Sequence, residues 1–272
     1  MARIQEEIPQ FLGQPVYAKK SAFHARAGMD VEFEATIRDE NGNPINLGSS
    51  GPYGQATLKA YFKEGSSTSW LDGHKDVSIL DRPAGKIAFT LHDDVKNVPG
   101  VYDVLVKIIN SDDKWVDSRE YYIYLDPSPD QSKPTEFPPL SRVRTELFDT
   151  SYIENELLGQ KQFNLTDICT AAVAAVDEWN TSAPFVPTLT VTTSTIWDCC
   201  NFIVGVKLKL YSMLVEHYRK NSLVYQAAGI AINDSKLQEY STALAEAQRK
   251  YLEEVFRLKY HKNMRNIFRI IP

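Results

Sequence analysis

The chain has 272 residues, of which 43% are hydrophobic and 24% charged, with a formal net charge of −5. That length suits two domains, and the apolar share excludes wholesale disorder. The acidic balance argues against general nucleic-acid binding, and no apolar run approaches the roughly 18 residues of a membrane span.

Residues 1–20 hold scattered apolar positions broken by Pro9 and Pro15, and read as an extended arm. Their first eight residues are polar where a secretory leader would be apolar, so the expectation is a chain made in a cytoplasm. Residues 21–126 have the texture of an all-β domain. Residues 31–37, Val-Glu-Phe-Glu-Ala-Thr-Ile, alternate apolar and polar at period two, as a half-buried strand does. The turn signal Asp39-Glu-Asn-Gly-Asn-Pro44 follows. Further strands are expected at 56–62, 86–91, 100–109 and 119–125. Short strands at this spacing, separated by Gly, Pro and Asn turns, predict an antiparallel β-sandwich of immunoglobulin type. It would stand on packing alone, because no paired cysteines lie inside it.

Residues 127–140 form a proline-rich linker. Five prolines fall between Asp126 and Pro139, which enforces an extended, semi-rigid spacer. Beyond it the apolar period changes from two to about 3.6, and residues 141–260 read as a helical bundle with long helices, giving an α+β multidomain chain. Thr166 or Asp167 is expected to cap a helix through Trp179, and another is expected over about 195–219. The apolar stretch 224–232 predicts a short ordered turn or hairpin. Asp234 or Ser235 would open the last helix, where Leu237, Tyr240, Leu244, Ala247 and Tyr251 form a heptad-like seam that Val255 and Leu258 extend.

The residue types that carry catalysis or bind metals do not converge. There is no glycine-rich phosphate loop, no nucleophile elbow and no zinc-type Cys/His spacing. His92-Asp93-Asp94 reads as a turn with solvated charges, and residues 39–43 as a hairpin turn rather than a calcium loop, since the closing glutamate is missing. Cys199 and Cys200 are adjacent, so on a helix their side chains diverge by about 100° and at least one is expected to be buried. The expectation is therefore a protein that is not an enzyme, with no cofactor and no metal. Exposed aromatic candidates on the β domain are Tyr53, Tyr61, Trp70 and Trp115, which could stack against sugar rings.

The C-terminal stretch is the exception. After Glu254 the chain carries Arg257, Lys259, Lys262, Arg265 and Arg269 without an acidic residue. Helix-dipole complementation accounts for the charges from Arg257 to Lys262. It does not account for Met264, Ile267, Phe268, Ile270 and Ile271, because a frayed end gains nothing from bulky apolar groups. Burying four such side chains would stabilise a contact by on the order of 6–12 kcal/mol gross, before ordering costs. Residues 261–272 thus read as a docking arm, with Arg257, Lys259, Lys262, Arg265 and Arg269 meeting acidic surfaces and Ile267, Phe268, Ile270 and Ile271 filling grooves.

Two stretches carry a resemblance. Residues 28–47, Gly-Met-Asp-Val-Glu-Phe-Glu-Ala-Thr-Ile-Arg-Asp-Glu-Asn-Gly-Asn-Pro-Ile-Asn-Leu, with Gly100-Val-Tyr-Asp-Val-Leu-Val106, resemble immunoglobulin-like modules of tailed-bacteriophage virions. Residues 172–180, Ala-Val-Ala-Ala-Val-Asp-Glu-Trp-Asn, with residues 221–236 and Tyr251, are similar to helical phage proteins of the head–tail junction. The resemblance implies a neck, adaptor or connector protein of the virion, made in the host cytoplasm. It would form a homo-oligomeric ring around the DNA channel, with no membrane contact. Its C-terminal arm would insert into the portal, a neighbouring neck or tail protein, or another subunit. The alternative is a baseplate or tail-fibre component whose β domain binds a host receptor or glycan.

Overall fold

A computed structural model describes residues 2–8, 10–11, 14–15, 20–39, 41–128, 137–147, 149, 162–184, 186, 190–220, 225–227, 230–232 and 235–270. In chain order these form β1 (Ala2–Gln5), β2 (Gln10–Phe11), β3 (Gln14–Pro15), β4 (Ser21–Arg26), β5 (Val31–Thr36), β6 (Thr57–Glu64), β7 (Lys75–Asp76), β8 (Ser78–Asp81), β9 (Lys86–Thr90), β10 (Gly100–Ile109) and β11 (Trp115–Asp126). Then follow α1 (Leu140–Glu146), α2 (Leu165–Thr181), a 3-10 turn (Thr193–Thr195), α3 (Cys199–Lys220), β12 (Tyr225–Ala227), β13 (Ile230–Ile232) and α4 (Ser235–Ile270). The fold is thus mixed, with β-sheets in the N-terminal portion and four helices in the C-terminal part. Contacts divide the chain into two compact units, Met1–Thr170 with Thr192–Thr195, and Ala171–Val191 with Ile196–Pro272.

In the first unit one sheet has the order β1-β5-β9-β8 and the other β4-β11-β10-β6-β7. Period-two alternation sets which side chains face inward. On β5, Val31, Phe33 and Ala35 are buried and the residues between them are not. The inner faces share one core, in which Phe23 of β4 meets Phe33 of β5 at 5.1 Å and Phe89 of β9 at 5.7 Å, ring centre to ring centre. Each such side chain contributes roughly 1.5–3 kcal/mol on burial.

The sheets are not purely antiparallel, as the sequence had suggested. β1 runs parallel to β5 and β4 parallel to β11. The supposed N-terminal arm is the cause: it contributes β1 to one sheet, and the chain then crosses to lay β4 along the other. At the β8–β9 turn Gly85 has φ +62°, and a Cβ there would lie 2.6 Å from the Ile45 carbonyl oxygen, so the position requires glycine.

The end of the linker is packed. Phe137 is buried 5.2 Å from Tyr124, whose hydroxyl donates to the Pro138 carbonyl at 2.9 Å. The Leu140 N–H, at the start of α1, donates to Asp126 Oδ1 at 2.8 Å. Contacts therefore place α1 with the β-sheets, because Phe137, Leu140 and Val143 are apolar side chains that the sheet unit buries. Residues 129–136 lie outside the described residues.

The helix caps differ from those expected. Asn164 caps α2, its Oδ1 accepting the Asp167 N–H at 2.9 Å, while the Thr166 hydroxyl donates to the Lys20 carbonyl. Asp198 caps α3, accepting the Asn201 N–H at 3.0 Å, so that helix begins at Cys199 rather than near Thr195. β12 and β13 pair as the hairpin foreseen between the long helices.

Candidate functional site on the last helix

In the second unit α4 buries a stripe made of Ala247, Tyr251, Val255 and Lys259, each four residues after the last. Tyr251 lies at a close crossing of three helices. A Cβ added to Gly205 of α3 would sit 2.9 Å from the Tyr251 ring and 3.1 Å from Ala175 Cβ of α2, so glycine is what lets the helices approach there. The Tyr251 hydroxyl reaches the Ala175 carbonyl at 3.4 Å. Of the expected seam, Ala247 and Tyr251 are buried and Leu244 is half-buried, whereas the Leu237 and Tyr240 side chains lie outside the described ones.

Lys259 is not available to a partner. Its ammonium donates to the Trp179 and Ser182 carbonyls and to Ser182 Oγ, and lies 5.1 Å from the Trp179 ring centre. Those carbonyls belong to the C-terminal end of α2, where orphaned acceptors and the helix dipole favour a cation. Burial pulls this ammonium below the usual lysine range. Trp179 in turn stacks on Trp197 at 4.2 Å. Lys262 is half-buried, 5.7 Å from the same Trp179 ring. Arg257 is exposed and paired with Glu254 on its own helix. The side chains of Arg265, Ile267, Phe268, Arg269 and Ile270 lie outside the described ones, as does Ile271 altogether; the α4 backbone is helical through Ile270.

The residues that α4 does present to solvent lie one position further along. Leu252, Phe256 and Tyr260 are 51%, 58% and 51% exposed. They recur every four residues, about 100° around the helix from the buried stripe. Phe256 and Tyr260 stack with their rings nearly parallel, 6.3 Å apart. Three large apolar side chains thus lie outward on one line of the helix. The sequence held the signal: two adjacent apolar stripes with four-residue spacing on one helix are more than a single core contact requires.

The chemistry that the sequence left unassigned stays dispersed. Asp39 Oδ1 accepts the Asn41 and Asn43 N–H groups at 2.9 and 2.8 Å, so the carboxylate serves the local backbone. His92 lies in a turn after β9, with Asp93 paired to Lys75 at 2.7 Å. Among the described residues no group of three or more His, Cys, Asp or Glu could hold a metal ion. Cys199 is half-buried and Cys200 exposed, contrary to the expectation that one be buried; they open α3, whose buried stripe begins only at Phe202 and Ile203. The buried cysteine is Cys169, whose thiol burial pushes well up. No described helix is long and apolar enough to cross a membrane.

No protein-family model and no curated protein sequence matches the chain. Among solved structures it is similar to the N-terminal domain of phage TP901-1 ORF48, at 12% identity and TM-score 0.31, over 46% of this chain and 97% of that one. It is also similar to Tim-1, at 13% identity and TM-score 0.20, over 43% of this chain and 98% of that one. At these TM-scores neither likeness carries an argument about fold or role.

Proposed function

We propose that the chain is a structural component of a tailed-phage virion, acting by contact rather than catalysis. In this reading it forms a homo-oligomeric ring at the head–tail junction and docks onto portal or tail proteins through α4 and the residues after it. Its β unit serves as an immunoglobulin-like sandwich and its helices as a bundle. The carrying observation is the outward line of Leu252, Phe256 and Tyr260 on α4. Together these side chains would contribute several kcal/mol to a protein interface once covered. The docking surface therefore begins before residue 261, and Lys259 belongs to the helical core rather than to it. The resemblance of residues 28–47 and 172–180 to virion proteins supports the setting. A second reading, a baseplate or tail-fibre component binding a host glycan, is favoured by the aromatic face of the β unit described below.

The test is the mass of the full-length protein by light scattering, with electron microscopy for rings. The wild type is expected to assemble well above the 30.8 kDa of one chain. The triple variant Leu252→Ser, Phe256→Ser, Tyr260→Ser is expected to remain a single chain with an unchanged unfolding temperature. A monomeric wild type, or a triple variant that assembles normally, would refute the proposal.

A further inference from the structure

The outer face of the five-stranded sheet holds an arrangement that the assembly reading does not use. Tyr61 of β6, Lys107 of β10 and Trp115 of β11 lie on this face. The Lys107 ammonium is 4.4 Å from the Tyr61 ring centre and 4.5 Å from that of Trp115. The two rings therefore lie within about 9 Å of each other, on either side of one cation. Trp115 is 60% exposed, and its indole N–H is already satisfied by the Asp117 carbonyl at 2.8 Å. Beyond its contact with Lys107, the ring is left to solvent. Ser118 lies opposite Lys107 in the register, on the same face.

The cation is the informative element. Two other lysines near this face have carboxylate partners, Lys63 with Asp103 at 3.3 Å and Lys20 with Glu120 at 2.7 Å, whereas Lys59, opposite Lys107 in the register, has none among the described residues and adds a second positive charge. Among the described residues Lys107 has no carboxylate partner; aromatic rings flank it instead. Ring faces hold a cation in place without neutralising its charge, so an anionic group can still bind it. The patch suits a ligand with a flat C–H face for the indole, hydroxyls at its rim and a negative group within reach of the ammonium.

We propose that this face binds an acidic carbohydrate, a sugar polymer bearing carboxylate or phosphate groups, with a sugar ring stacked on Trp115 and the anionic group on Lys107. This site is independent of α4 and of the assembly reading. The test is calorimetric titration of the full-length protein with four probes: an oligogalacturonate, a ribitol-phosphate polymer, maltohexaose and polyglutamate. One or both acidic sugars are expected to bind at least about tenfold more tightly than maltohexaose and polyglutamate, and which one binds identifies the carboxylate or the phosphate as the anion. Trp115→Ala is expected to weaken the acidic sugar about tenfold. Lys107→Gln is expected to abolish the preference for acidic over neutral sugar, with both variants unfolding at the wild-type temperature. If neither acidic sugar binds, if maltohexaose or polyglutamate binds equally well, or if the two folded variants bind like wild type, the proposal is overturned.

Discussion

Asp149 has a fully buried carboxylate held by Arg144, Phe163 and Gln162. Oδ2 pairs with Arg144 Nη1 at 2.8 Å and accepts the Phe163 N–H at 3.3 Å, while Oδ1 accepts the Gln162 N–H at 2.6 Å. The Asp149 backbone N–H in addition donates to the Arg144 carbonyl at 2.9 Å. Arg144 is also buried, and its guanidinium further donates to the Phe163 carbonyl at 3.0 Å. Removing one partner of a buried pair strands the other charge away from water. Asp149→Ala is therefore expected to destabilise the protein by about 3–5 kcal/mol. Urea unfolding followed by circular dichroism would measure this, and an unchanged midpoint would show that water reaches Arg144 after all. Nothing local in the sequence marks this pair. Asp149 lies in a stretch without apolar periodicity, and one acidic residue among 35 has no local pattern that marks it as buried.

Elements were legible where one periodicity served one face. β10 was read with its observed limits, Gly100–Ile109, because its apolar run is broken only by Asp103 and Lys107 and is bounded by glycine and asparagine. β1 and β4 were missed because their partners, β5 and β11, are distant in sequence, and no local signal encodes a parallel edge pairing. The helices were recognisable by period, and the alanines of α2 signal a close neighbour, but the residue on α3 that their closeness needs was not. That closeness rests on Gly205, which in sequence is only a residue that weakens α3. A Gly205→Ala substitution separates the two effects. Propensity alone would stabilise the helix by up to about 1 kcal/mol. The new methyl, however, would press on the Tyr251 ring at 2.9 Å and on Ala175 at 3.1 Å, both buried. Overpacking of this kind costs typically about 1–3 kcal/mol, so a net loss of stability is expected. Thermal unfolding decides it: a raised midpoint would mean that α4 can shift aside without loss.

For the whole molecule the distribution of charge matters more than its total. Residues 201–272 carry twelve Lys or Arg against six Asp or Glu, whereas residues 1–200 carry eighteen against twenty-nine. A net charge of −5 conceals two parts of opposite sign. Copies of such a chain attract one another best when unlike parts meet, which is a head-to-tail contact, and head-to-tail contacts close into rings when the rotation allows. The outward line of Leu252, Phe256 and Tyr260 belongs to the basic part, so its apolar contact and this attraction would act at the same junction. The two contributions respond oppositely to salt. Screening shortens the reach of charge from about 10 Å at 0.1 M to about 3 Å at 1 M, while apolar burial is not screened. Self-association measured by light scattering is therefore expected to weaken severalfold between those ionic strengths without disappearing. Association that stays constant or tightens with salt would instead assign the contact to like surfaces meeting through their apolar stripes, which is a two-fold dimer rather than a ring.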